Sequence, residues 1–174
     1  MNAYVSGLGS TRRVVLYDTL VDAAPSREVR LVVAHELAHR RARHVAKGTL
    51  LGMAGAVVFV VLLWALLQGA SLPEAIGATG AGDPRVIPFA LLLGGALEAL
   101  LSPFGSALSR RWERQADAFS LDLTRDQETF ESIHRRLALA NLSDLDPPRA
   151  VYLAWFTHPT APERIAAARR RARA

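Results

Sequence analysis

Val32-Val33-Ala34-His35-Glu36-Leu37-Ala38-His39 spells H-E-x-x-H inside an apolar helical run. On a helix, positions i and i+4 share a face about one turn apart, so His35 and His39 aim both imidazoles at one metal ion. Glu36 stands beside the first histidine, where a carboxylate reaches water at the metal's open position and takes its proton. Leu31, Val32, Val33, Leu37 and Ala38 would bury the turn that carries the ligands. A polar surface turn with two incidental histidines does not account for those apolar flanks. The pattern points to a zinc site equipped for hydrolysis, with Zn2+ as the expected cofactor, one per chain.

The rest of the composition narrows the setting. At 174 residues the chain is long enough for one domain with a real core, and residues 1–174 are expected to form one. Hydrophobic residues make up 51% and the mean hydropathy is +0.16, which leans towards a membrane protein. The net charge of +5 comes from 21 Lys+Arg against 16 Asp+Glu. Much of it sits in arginine clusters at 40–43, 110–114 and 169–173. Beside apolar segments such clusters face anionic lipid, and no nucleic-acid partner is expected. With no cysteine, a zinc site has to be built from histidines and carboxylates. The first dozen residues lack a basic-then-apolar pattern, so no signal peptide is expected.

In chain order, Ala3–Gly9 and Arg13–Tyr17 read as two strands joined through Gly7-Leu8-Gly9-Ser10, a hairpin within residues 1–25. Ser26 is the expected N-cap of the zinc helix, which runs over 26–48 with Gly48 as its stop. His44, five residues beyond His39, points away from the ligand face of a straight helix and is expected to be structural or solvated. Leu50–Leu67 is an uncharged run of 18 residues, about 27 Å of helix, nearly the thickness of a hydrocarbon core.

Spans over 50–68 and 86–103 then form a transmembrane helical hairpin, the second ending near Pro103 and interrupted only by Glu98. Glu98 is costly in lipid and is expected to pack against a helix or face water. Arg40, Arg41, Arg43 and Lys47 precede the first span, and Arg110, Arg111 and Arg114 follow the second. The positive-inside rule puts both ends, and the His-Glu helix, on the cytoplasmic side. Beyond lies a helical region, 106–174. Thr124-Arg125-Asp126-Gln127 and Thr160–Glu163 each have capping-box form.

Two histidines leave a catalytic zinc short of its usual three protein ligands. His39 lies eleven residues before Leu50, about 16 Å of helix. Glu113 lies ten residues after Pro103, about 15 Å by the same rise. Two helices descending from one hairpin would bring Glu113 to the depth of His39. Asp117, one turn later on the same face, is placed to accept the free ring N–H of a ligating histidine.

These blocks together resemble a known family. HELAH, a hydrophobic hairpin, Glu113-Arg-Gln-Ala-Asp117 and His158-Pro-Thr-Ala-Pro-Glu-Arg164-Ile resemble the membrane zinc metalloproteases of the CAAX prenyl protease type 1 family. The opening Asn2-Ala-Tyr-Val-Ser-Gly-Leu-Gly-Ser and the Arg-Val-Val-Leu-Tyr-Asp segment resemble it too, more closely than its heat-shock membrane protease relatives. The resemblance implies a mainly α, membrane-embedded, zincin-like fold with a short β-hairpin. It implies His35, His39 and Glu113 as zinc ligands, Glu36 as catalytic base, and Asp117 behind the ligands. It assigns His158 to the scissile carbonyl, Arg164 to a supporting place after it, and Asn2, Ala3, Tyr4 and Val5 to substrate held as an added β-strand. Members of that family carry further membrane spans ahead of the strand segment, so the chain resembles their C-terminal catalytic part. The expected activity is endopeptidase hydrolysis of a peptide or protein substrate, prenylated or membrane-associated. A shortened, inactive zinc-binding membrane scaffold is the competing expectation. Oligomeric state is left open.

Overall fold

The computed structural model describes all of the chain except residues 1, 2, 7–10, 12, 19–21, 23, 70 and 174. Its elements are β1 (Ala3–Ser6), β2 (Arg13–Leu16), α1 (Ser26–Arg41), α2 (His44–Gln68), α3 (Ser71–Ala75), α4 (Val86–Thr124), α5 (Gln127–Ala140), α6 (Arg149–Trp155) and α7 (Ala161–Arg171). They divide into two compact units, residues 1–45 with 104–174, and residues 46–103.

The expected fold class needs correcting. The framework is helical, and no β-hairpin is one of its described building blocks. β1 and β2 pair antiparallel over four residue pairs only, from Ala3 with Leu16 to Ser6 with Arg13. The turn expected at Gly7–Ser10 lies outside the described residues. Two isolated four-residue strands are marginal in water, and here they rest against α1.

α1 starts at Ser26 itself. Pro25 occupies the cap position without a side-chain bond, and its carbonyl accepts from Glu28 N at 2.9 Å. The expected run to Lys47 is also corrected, because the helix ends at Arg41. Arg43 adopts φ +55°, a left-handed conformation that a non-glycine residue reaches only at a cost of roughly 1–2 kcal/mol. Ala42 N still bonds Ala38 O at 2.9 Å, and α2 begins directly afterwards at His44.

The core of the first unit is made by Leu31 of α1, Phe130 and Ile133 of α5, and Ala168 of α7, with Val32, Leu121 and Leu137 packed around it. Phe130 is fully buried. Charged pairs clip the helices around this core. Glu28 accepts from Ser132 Oγ at 2.9 Å and faces Arg136 Nε at 3.3 Å, tying α1 to α5. Glu131 takes Arg169 Nε at 2.9 Å and Nη2 at 2.5 Å, tying α5 to α7, and those hydrogen bonds hold its carboxyl at about 2.

The caps divide. At the second capping box Thr160 accepts from Glu163 N while Glu163 accepts from Thr160 N, with proline in the first turn, as expected. At the first, Asp126 is the true cap, accepting from Thr129 N at 3.0 Å. Thr124 instead ends α4 and bonds back to Ser120 O at 2.7 Å.

The second unit holds the greater part of α2, α3 and the first stretch of α4. Leu50, Val57, Val61, Trp64, Leu92 and Leu100 are all exposed on helices long and apolar enough to cross a membrane. None of the most apolar stretch of α2 is buried, and only 6% of that of α4, so both helices leave their apolar surfaces open. Where the two helices meet, the Phe59 ring lies against Gly94, 3.6 Å from the place a Cβ would occupy. Glu98 is exposed. α4 runs unbroken from Val86 to Thr124 with Pro103 inside it. Proline removes the N–H that would reach Ala99 O. The Ser102 hydroxyl donates to that carbonyl instead, at 3.0 Å.

Candidate active site

α1 and α4 carry the site. His35 and His39 project from one face of α1 with their Nε2 atoms 3.1 Å apart. Glu113 of α4 sets Oε2 3.4 Å from His35 Nε2 and Oε1 3.2 Å from His39 Nε2. These three residues form a group able to hold a metal ion. A tetrahedral zinc with bonds of about 2.0–2.1 Å keeps its donors roughly 3.3–3.4 Å apart, close to the spacing of the two Nε2 atoms and of each Nε2 from one or other Glu113 oxygen. Glu113 Oε2 is moreover buried with no hydrogen bond of regular geometry, and two imidazoles beside a buried carboxylate are a donor set that suits zinc.

Asp117, one turn along α4, accepts from His35 Nδ1 at 3.0 Å. It also takes Arg164 of α7 through two bonds, Nε to Oδ2 at 2.8 Å and Nη2 to Oδ1. Arg164 Nη1 lies 3.8 Å from Glu113 Oε2. His158, in the segment before α7, places Nδ1 2.9 Å from the same oxygen while much of its ring stays exposed. Glu36 lines a cleft of about 520 Å³ together with His35, Glu113, Trp155 and His158. Val32, Ile133 and Leu137 add apolar lining to the same cleft.

Burial and charge set the ionisation. Burial works against a charged His35, but hydrogen bonds to Asp117 and Glu113 outweigh it and lift the ring to about 9. Burial opposes the charge of Glu113 as well, yet His158, His35 and His39 hold it far below the carboxylate range. Asp117 is held at about 2, burial again being overcome, chiefly by Arg164. Glu36 is pushed up by burial, with His35 and His39 pulling the other way. That direction suits a carboxylate that must take up a proton near neutrality.

The structure therefore brings His35, His39, Glu113, Asp117, His158 and Arg164 together, with Glu36 on the same cleft. Ala3, Tyr4 and Val5 lie in β1, and Asn2 lies outside the described residues. Two residues escape the sequence. Arg110, read as a lipid-facing charge, is buried and donates Nη1 to Tyr152 O at 2.9 Å and Phe156 O at 2.5 Å. It pins the end of α6 just ahead of His158. His44, expected to point away from the ligand face, is buried against His39.

Two histidines one turn apart and a glutamate from a second helix make up the donor set of zinc peptidases. Comparison with known proteins agrees: the model of peptidase family M48 matches residues 1–172, and the chain belongs to that family. It is 32% identical over 170 residues to the uncharacterized metalloprotease YhfN of Bacillus subtilis, covering 95% of this chain and 39% of that one. It is 30% identical over 184 residues to CAAX prenyl protease 1 of Saccharomyces cerevisiae, covering 95% and 40%. The crystal structure of S. mikatae Ste24p superposes with a TM-score of 0.80 at 26% identity, over 96% of this chain and 42% of that one. The chain thus spans about two-fifths of the length of these relatives.

Proposed function

We propose that residues 1–174 work as a single metalloprotease domain of a membrane-bound zinc metalloendopeptidase. The observation that carries this is the cluster of His35, His39 and Glu113, two imidazoles and a carboxylate gathered closely enough to hold one metal ion, with Glu36 on the same cleft. Bound there, zinc supplies Lewis acidity to the scissile carbonyl and to the attacking water. Glu36 takes a proton from that water as its oxygen adds to the carbonyl carbon, and delivers the proton to the amine as the C–N bond breaks. His158 turns from Glu113 to donate to the carbonyl oxygen as negative charge develops, a role worth about 3 kcal/mol in comparable sites. Asp117 and Arg164 hold His35 and Glu113 in place. The unpaired edge of β1, with Asn2 before it, takes the substrate as an added strand, and the apolar cleft wall takes a hydrophobic side chain.

The substrate is a peptide or protein. The yeast relative's name, CAAX prenyl protease 1, directs attention to cleavage beside a prenylated cysteine, with membrane proteins in general as the other class. In this reading α2 and the first part of α4 cross the bilayer, and the exposed Arg40, Arg41, Arg43, Lys47, Arg111 and Arg114 at their ends support a site on the cytoplasmic face. The test is Glu36→Gln, which is expected to retain zinc and lose peptide cleavage by at least about a hundredfold. Substantial residual cleavage rejects Glu36 as the base. Because the chain spans two-fifths of its relatives, a zinc-binding scaffold without turnover is the alternative. Stoichiometric zinc with no cleavage by the unmutated chain would mark it.

A further inference from the structure

His44 was the residue a straight helix would have sent away from the site. The left-handed Arg43 breaks the helix and returns it, and its ring is buried. One face stacks on Trp112 of α4, with centroids 4.9 Å apart and planes at 9°. Its edge meets His39, Nδ1 to Nδ1 at 3.0 Å, and its other nitrogen, Nε2, lies 3.3 Å from Gln115 Oε1. Only one proton fits between two facing Nδ1 atoms. If His39 binds metal through Nε2, the nitrogen that faces His35 and Glu113, its own proton must sit on Nδ1. His44 Nδ1 is then bare and accepts. The His44 proton moves to Nε2, where the Gln115 carbonyl oxygen receives it. Every nitrogen in the row is satisfied by this single assignment.

We infer that His44 is a positioning residue that fixes the tautomer and ring orientation of His39 as a metal ligand, as Asp117 does for His35. The inference rests on the zinc reading above and adds a residue to it. The Trp112 stack holds His44 in plane, and Gln115 accepts the proton that His44 carries on Nε2.

The experiment uses the full chain in detergent micelles, with zinc affinity measured by chelator competition. Histidine protonation is read from long-range 15N–1H correlation of the zinc-loaded protein. His44→Phe keeps a ring on Trp112 but offers no acceptor, and is expected to weaken zinc binding about 10–100-fold. His44→Asn places an amide oxygen near the lost Nδ1 and is expected to recover most of that loss. In the unmutated chain the spectrum should show His39 protonated on Nδ1 and His44 on Nε2. Zinc affinity unchanged in His44→Phe overturns the inference. So does a loss in His44→Asn equal to that in His44→Phe, or a His44 proton on Nδ1. If His44→Phe does not fold, Gln115→Leu tests the same row, since Gln115 is exposed. It should shift the His44 Nε2 signal but leave the proton on Nε2, because His39 still donates from Nδ1; a proton moved to His44 Nδ1 counts against the inference. Failure of the unmutated chain to take up zinc would overturn the metalloprotease reading itself, whereas uptake indifferent to His44 overturns only this addition.

Discussion

Replacing Asp117 by asparagine should change how zinc affinity depends on pH. In the metal-free protein His35 stands between Asp117 and Glu113, which keep it protonated up to about 9. A metal ligand must be a neutral imidazole, so zinc has to displace that proton. At pH 7, two units lower, the displacement costs ~2.7 kcal/mol, about a hundredfold in apparent affinity. Affinity should rise about tenfold per pH unit between 7 and 9 and then level, with close to one proton released per zinc over most of that range. Glu113, already ionised, releases none. The opposite holds for the metal-free fold. A ring raised from 6.5 to about 9 gives stability that is complete below 6.5 and is lost as pH rises through about 9.

Asp117→Asn leaves an acceptor for His35 but no charge, so the ring should titrate nearer its ordinary value and the affinity curve should level earlier. The variant also breaks the paired bonds to Arg164, whose side chain is 14% exposed. Stranding that cation costs about 3–5 kcal/mol of stability, nearer the lower figure here because Glu113 remains close to Arg164. At pH 9, where the proton no longer competes, affinity should still be about 10–100-fold below the unmutated chain because His35 is less firmly aimed. Chelator competition across pH 6.5–9.5, with calorimetry in buffers of different ionisation heat, reads both effects. A flat affinity in the unmutated chain between pH 7 and 8.5, or identical slopes in the two proteins, would refute the reasoning.

Phe130→Ala empties the middle of the core and should cost about 3–5 kcal/mol, seen as a large fall in the thermal unfolding temperature of the metal-free chain. Arg110→Met should release Tyr152 O and Phe156 O, cost about 1.5–3 kcal/mol per lost charged bond, and slow cleavage at least tenfold while zinc affinity holds, because the segment bearing His158 loosens. An unaltered cleavage rate would separate that segment from the chemistry. Cysteine labelling tests topology in a chain with no cysteine of its own. Ala81→Cys should react with an impermeant thiol reagent in intact cells and Ala46→Cys only after lysis, both positions being exposed. The reverse pattern would put the site on the outer face.

What could be read from the sequence was local or countable. H-E-x-x-H needs only one helical turn, and α1 supplies it. The rise from Pro103 to Glu113 was counted as helix, and α4 is helical throughout, so the count survives. At Pro103 a serine hydroxyl bonds the carbonyl that proline leaves without its usual donor. Arg43 was opaque, since arginine carries no preference for the left-handed region and only the surrounding packing holds it there. Asp126 was missed because an aspartate two residues after Thr124 competes for the same cap, and it takes Thr129 N instead. Arg110 was misread because a basic residue beyond an apolar run has the same local pattern whether or not another helix comes to meet it. The carbonyls that claim Arg110 lie 42 and 46 residues further along the chain.

The left-handed Arg43 also makes the junction between α1 and α2 intolerant of insertion and deletion. One residue added to or removed from Arg40–Arg43 would turn whatever follows by about 100° relative to α1, carrying His44 off His39 and off the Trp112 ring. Substitutions within those four positions leave this geometry alone so long as position 43 can still adopt a positive φ, which glycine or asparagine would do more easily than arginine. The interval from His39 to His44 is thus constrained in length far more tightly than in composition.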